Sequence, residues 1–194
     1  MNLYTDQFID RHVFGTELNP ALFQSLNALF ILLFAPVMAL LWTRLGSRQP
    51  GTVGKFVLAL LLLALGFAAM MLAVLEQQQL GKASVWYLVA AYWCHTIGEL
   101  CLSPVGLSMV SRLAPLKMAA LLMGLWYLFI AMANKLAGTV GALVSSGMAA
   151  AGSTDQAALL AHNALVIFSG LAVAGLLAAG CLWLCKPVLQ RWMV

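Results

Sequence analysis

Five stretches of this chain carry scarcely any charged side chain, and each is long enough to cross a bilayer. They run Ala21–Thr43, Phe56–Leu75, Val85–Val110, Met118–Val144 and Asn163–Cys185. A membrane helix needs about 20 predominantly apolar residues, so the pattern predicts an all-α membrane protein with five transmembrane helices. Between the spans the chain turns polar. Asn19 suits a helix N-cap and Pro20 the first helical position. Gly46-Ser47-Arg48-Gln49-Pro50-Gly51 reads as a turn, and Ser145–His162 as a small, polar connection. The expected organisation is a connecting segment over 1–18, a helical part over 19–190 and a short tail over 191–194.

The polar positions inside the spans are few. In the first span Gln24 and Asn27 fall on one helix face, three residues apart, and Pro36 removes one backbone hydrogen bond and is expected to bend the helix. An amide such as Asn27 serves equally well as glue between helices, contributing about 0.6–2 kcal/mol, or as a ligand contact. The second span has no polar side chain and reads as a lipid-facing or supporting helix, with Gly66 permitting close packing. In the third, Tyr92, His95, Glu99, Ser103 and Gly106 recur at spacings of three or four and form one stripe. Gly98, Pro104 and Gly106 weaken the helix around the acid, as in broken helices that line a cavity. In the fourth, Trp126 lies deeper than the interfacial belt where tryptophan usually sits, which suits a packed core or a pocket wall. Ala133, Ala137 and Gly141 in that span, and Gly170, Ala174 and Ala178 in the fifth, form small-residue ridges of the kind that let helices approach closely.

Composition agrees with the pattern. Hydrophobic residues make up 63% of the chain and charged residues 8%, against roughly a quarter charged in soluble domains, and the mean hydropathy is +0.97. The net charge of +4 gives no reason to expect nucleic acid; the position of the charges matters more. Arg44, Arg48 and Lys55 lie between the first and second spans, Arg112 and Lys117 between the third and fourth, and Lys186 and Arg191 after the fifth. The other connections offset Lys82 with Glu76 or hold Asp155 alone. By the positive-inside rule the basic connections and the carboxy terminus are cytoplasmic. Met1–Leu18 then lies outside, yet it has no basic region followed by an apolar stretch, so it is no signal peptide. The topology therefore expects at least one preceding helix. Cys94, Cys101, Cys181 and Cys185 lie in or at the end of spans, where small buried hydrophobes are the first reading and palmitoylation of Cys181 and Cys185 the second. No set of three or four metal ligands converges in sequence.

Glu99 changes the picture most. A carboxyl near the centre of a membrane helix costs a few kcal/mol or more unless it faces protein, water or a partner. It is a functional-site candidate by that default, for a proton or a cation, with a neutral carboxyl hydrogen-bonded to a neighbouring helix as the alternative. His95, one turn earlier, is either a proton relay partner or a histidine hydrogen-bonded near the interface. Lys135 either snorkels toward the outer face or pairs with an acid from a helix outside the chain. His95, Glu99 and Ser103 lack the base, nucleophile and orienting group of an enzyme, because all three sit on one helix. No enzyme activity is expected.

Phe23-Gln24-Ser25-Leu26-Asn27 and Gly98-Glu99-Leu100-Cys101-Leu102-Ser103-Pro104-Val105-Gly106-Leu107-Ser108 resemble the proton-dependent oligopeptide transporter family, and Met123-Gly124-Leu125-Trp126 and Asn134-Lys135-Leu136-Ala137-Gly138 fit the same pattern. The resemblance implies a major-facilitator fold of two six-helix halves, with the five spans here as the eighth to twelfth of twelve helices. It implies that Glu99 and Asn27 bind a peptide amino terminus, that Trp126 walls a side-chain pocket, and that Ser103 is a weaker contact. It further implies di- and tripeptides as substrates, a proton as coupling ion, no cofactor, and residence in the plasma (inner) membrane. The family's ExxER motif and the basic residues that hold the peptide carboxylate are absent, both belonging to an amino-terminal half outside this chain. Ala28 stands where many relatives have proline. The chain thus reads as the carboxy-terminal part of a proton-coupled peptide symporter, with a non-transporting structural or regulatory membrane fragment as the alternative.

Overall fold

The computed structural model describes residues 9–10, 12–13, 16–17, 20–144 and 153–192. Five long helices carry almost all of it: α1 (Pro20–Leu45), α2 (Thr52–Leu80), α3 (Val85–Leu113), α4 (Ala119–Val144) and α5 (Ser153–Trp192). Each contains one of the apolar runs. α1, α2, α4 and α5 are long and apolar enough to cross a membrane. α3 spans 29 residues, and the tyrosine, histidine, threonine and glutamate of its middle turns dilute its hydropathy. Short 3-10 turns, Gly46–Arg48 and Leu116–Met118, join α1 to α2 and α3 to α4. α2 stops at Gly81, whose φ of 83° needs no Cβ and whose N–H closes the last turn on the Gln77 carbonyl at 2.8 Å.

The helix with no polar face is the centre of the bundle rather than a peripheral support. α2 packs along α5 on one side and α3 on the other; α1 lies against α3, and α4 touches α3 and α5 lightly. The seam between α2 and α5 is made by small residues. Ala64 is buried, and a Cβ on Gly175 would stand 3.2 Å from its Cβ. Close backbone approach brings many dispersion contacts, the chief attraction between helices in lipid. Near the α2–α3 turn, Ile9, Phe23, Met70, Val74, Leu88, Leu160, Ala164 and Phe168 form one buried cluster. At the opposite end Met38, Ala59 and Cys101 form a second, flanked by Trp42. There Lys55 lies over the Trp42 ring at 4.5 Å and donates to Gln49 Oε1 at 2.9 Å, which ties the α1–α2 turn to the first turn of α2.

Several expectations are corrected. The polar connection before the fifth helix is helical from Ser153, because Leu160, Ala161 and Ala164 already pack into the core. The Gly170–Ala174–Ala178 ridge faces outward; the packed face is Ala161, Ala164, Phe168, Ala172, Gly175 and Ala179. Ala133, Ala137 and Gly141 are exposed too, and Gly141 has no neighbour within 4 Å. α3 runs unbroken through Pro104. Cys94 and Cys101 are buried, but Cys181 and Cys185 are exposed. Asn19, and the side chain of Gln24, lie outside the described residues. The segment before α1 contributes a parallel pairing, β1 (Ile9–Asp10) with β4 (Ala83–Ser84), and a small antiparallel one, β2 (His12–Val13) with β3 (Thr16–Glu17).

Candidate functional site

α1 and α3 bring together the two residues that sequence singled out most strongly. Asn27 Nδ2 points to Glu99 Oε2 at 3.5 Å, across a separation of 72 residues. The position follows from the packing of α3. Ala91 and Gly98 face α2, and a Cβ on Gly98 would lie 3.1 Å from the Ala59 carbonyl. Trp93 turns to α1, where its ring meets Phe34 edge-on at 6.3 Å. Glu99 comes out beside the α1 contact, exposed along with Ser103 and Pro104. The carboxylate therefore stands on the exposed side of α3, beside an amide donor.

Thr96 joins the pair. Its hydroxyl lies 2.6 Å from Asn27 Oδ1 and 2.7 Å from the Tyr92 carbonyl, and the residue is fully buried. Thr96 lies four residues after Tyr92 and three before Glu99, so the same spacing that defines the stripe admits it. That spacing, with its hydroxyl, was the available signal.

The stripe itself divides between neighbours. Gly106 is buried because the Trp126 indole of α4 lies on it: a Cβ there would be 2.5 Å from Trp126 Cη2. Trp126 thus stands two turns along α3 from Glu99, about 10 Å along the axis, on the same exposed side as Ser103. His95 goes elsewhere. Its ring edge rests on Gly66, meets the Phe67 ring at a tilt of 58° with centroids 4.8 Å apart, and lines a cavity of about 440 Å³ with α4 and α5 residues including Ala137, Gly141 and Phe168. Its Nε2 is buried and makes no hydrogen bond. The structure brings Asn27, Thr96 and Glu99 into one contact and places Ser103 and Trp126 further along α3. His95 faces α2.

Long apolar helices, two of which bring a carboxylate and an amide together, define a polytopic membrane protein with a polar contact between its helices. The profile of the POT family matches residues 1–157, and the chain belongs to that family of membrane transporters. Among curated relatives, the peptide transporter YePEPT of Yersinia enterocolitica is 42% identical over 150 residues, covering 75% of this chain and 29% of that protein. The uncharacterized transporter YclF of Bacillus subtilis is 35% identical over 191 residues, 98% of this chain and 36% of that one. Dipeptide and tripeptide permease B of Xenorhabdus bovienii is 29% identical over the whole chain, which spans 39% of its length. This chain thus spans about a third of the length of the curated relatives it matches. Solved structures extend the likeness into α5. A POT family transporter in complex with 5-aminolevulinic acid aligns over 96% of this chain at a TM-score of 0.78 and 31% identity, covering 36% of that protein. A mutant peptide transporter POT in complex with alafosfalin aligns over 98% at 0.71 and 32%, likewise covering 36% of its length.

Proposed function

We propose that this chain is the carboxy-terminal part of a proton-coupled di- and tripeptide symporter, and that it supplies the Glu99–Asn27 side of the central peptide site. One observation carries the reading: Asn27 and Glu99 meet across α1 and α3 at 3.5 Å with Glu99 exposed, in a chain of the POT family. In the assembled transporter a peptide ammonium pairs with Glu99 where water is scarce and an unpaired charge is costly. Trp126 and Ser103, further along, line the space for the peptide's side chains. Glu99 also takes the coupling proton, and His95, which turns to α2, has no contact with it through which to relay that proton. The amino-terminal half supplies the opposite wall, and the two halves rock about the site to alternate access. The helices lie in the inner membrane with the Arg44–Lys55 turn and the end of α5 cytoplasmic, and residues 1–18 outside.

In the full-length transporter, Glu99→Gln keeps the side chain's size and removes its charge. It should lower dipeptide uptake at least tenfold and weaken dipeptide binding, because a charge-assisted contact contributes about 1.5–3 kcal/mol. Unchanged uptake and affinity would refute the assignment. A second reading is a membrane fragment that does not itself transport. Proteoliposomes holding this chain alone separate the two uses: uptake of a labelled dipeptide by them excludes the fragment reading.

A further inference from the structure

We infer that Thr96 is a positioning residue whose one hydroxyl proton sets which end of the Asn27 amide faces Glu99. The inference rests on the reading that a ligand ammonium binds between those two residues. The hydroxyl stands within hydrogen-bond distance of two acceptors, Asn27 Oδ1 at 2.6 Å and the Tyr92 carbonyl at 2.7 Å. It has one proton and two lone pairs, so it serves one acceptor at a time. When the proton points to Asn27 Oδ1, the amide is held with its NH₂ toward the Glu99 carboxylate, the arrangement in the structure. The amide then occupies the place an ammonium would take, as an internal donor to the acid.

The second arrangement uses the same atoms. The hydroxyl turns to the Tyr92 carbonyl, the local bond threonine commonly makes inside helices, and its oxygen now accepts from Asn27 Nδ2. The amide is reversed and presents Oδ1 toward Glu99. Beside a bare carboxylate that oxygen is repelled. With an ammonium between them it becomes a second acceptor. Thr96 and Asn27 stay hydrogen-bonded to each other in both arrangements, and Thr96 is fully buried, so water does not compete for the proton. The pair therefore changes from donor to acceptor without leaving a buried polar group unpaired, a fault that is costly in such surroundings. A valine at the same place has the same shape and neither property. A threonine that only glues α1 to α3 would affect all ligands alike.

The test compares equilibrium binding of alanyl-alanine and propionyl-alanine, which differ only in the ammonium, to the full-length transporter in detergent. Wild type should prefer alanyl-alanine. Thr96→Val should weaken alanyl-alanine binding about five- to tenfold, the size of one buried hydrogen bond, while changing propionyl-alanine binding less than twofold. Thr96→Ser should bind both as wild type does. Thr96→Cys, with a weak donor in place of the hydroxyl, should follow valine, and it carries the test if the valine variant does not fold. Equal binding of the two ligands by wild type overturns the ammonium reading itself. A wild type that discriminates, with valine and cysteine variants that match it or weaken both ligands equally, overturns the role of Thr96 alone.

Discussion

At the scale of single residues, the site works through close approaches that only glycine allows. Gly106 takes the edge of the Trp126 indole directly on its Cα, where a Cβ would stand 2.5 Å from Cη2 and 2.9 Å from Cζ2. An indole is rigid, so the ring rather than a flexible tip must move. Gly106→Ala should therefore destabilise the protein by about 1–3 kcal/mol, the usual cost of overpacking. In a Trp126→Leu background the same substitution should cost much less, and a double-mutant cycle of thermal unfolding measures the coupling. Additive effects would mean the indole does not lie on Gly106. Gly66 plays the same part for the His95 ring, which explains why that histidine turns to α2 while Glu99, on the same stripe, meets α1. A shared stripe places residues on one helix face; which neighbour each side chain meets depends on where small residues leave room.

Among the helices, the periodicity of small residues marks two candidate faces on α5, and tertiary packing uses one. Gly170 has nothing within 4 Å, whereas Gly175 lies against Ala64 and the Leu60 carbonyl. Gly175→Leu should lower stability by about 1–3 kcal/mol through forced separation of α2 and α5. Gly170→Leu should stay within about 0.5 kcal/mol of wild type, as outward substitutions usually do. Thermal unfolding in detergent checks both, and the reverse order would put the seam on the other face. The ridge at four-residue steps could not be told from the working face in sequence, because α5 is rich in alanine and glycine all round. The start of α5 was hidden for a related reason: Ser153–His162 is polar enough to look like a loop, and its helical state comes from Leu160 and Ala161 reaching the core.

Across the whole molecule, α2 holds the bundle together and the segment before α1 reaches back to it. Ile9 is 2% exposed and pairs in register with Ala83 in the turn between α2 and α3. It packs in the cluster that also contains residues of α1, α2, α3 and α5. Ile9→Ala should cost about 2 kcal/mol or more, as buried isoleucine truncations do. Melting in detergent measures this, and an unchanged transition would show that the segment is not docked. The outer surface is different. The apolar windows of α1 and α4 are 6% and 0% buried within the chain. Such apolar area needs lipid or further helices as its solvent.

Sequence by itself determined the class and the helices and singled out Glu99, because the bilayer imposes strong one-dimensional rules. Length, hydropathy and the cost of an intramembrane charge can all be read along the chain. The motifs around Asn27 and Glu99 likewise stand in the sequence as text. Tertiary structure alone decided that Asn27 reaches Glu99, that Thr96 stands between them and the helix backbone, and that His95 turns away. It also decided which of two small-residue faces on α5 is the seam. Those outcomes depend on the rotation of each helix about its axis. Rotation is set by how knobs such as His95 and Trp126 meet gaps such as Gly66 and Gly106 across contacts distant in sequence, and no local period encodes it.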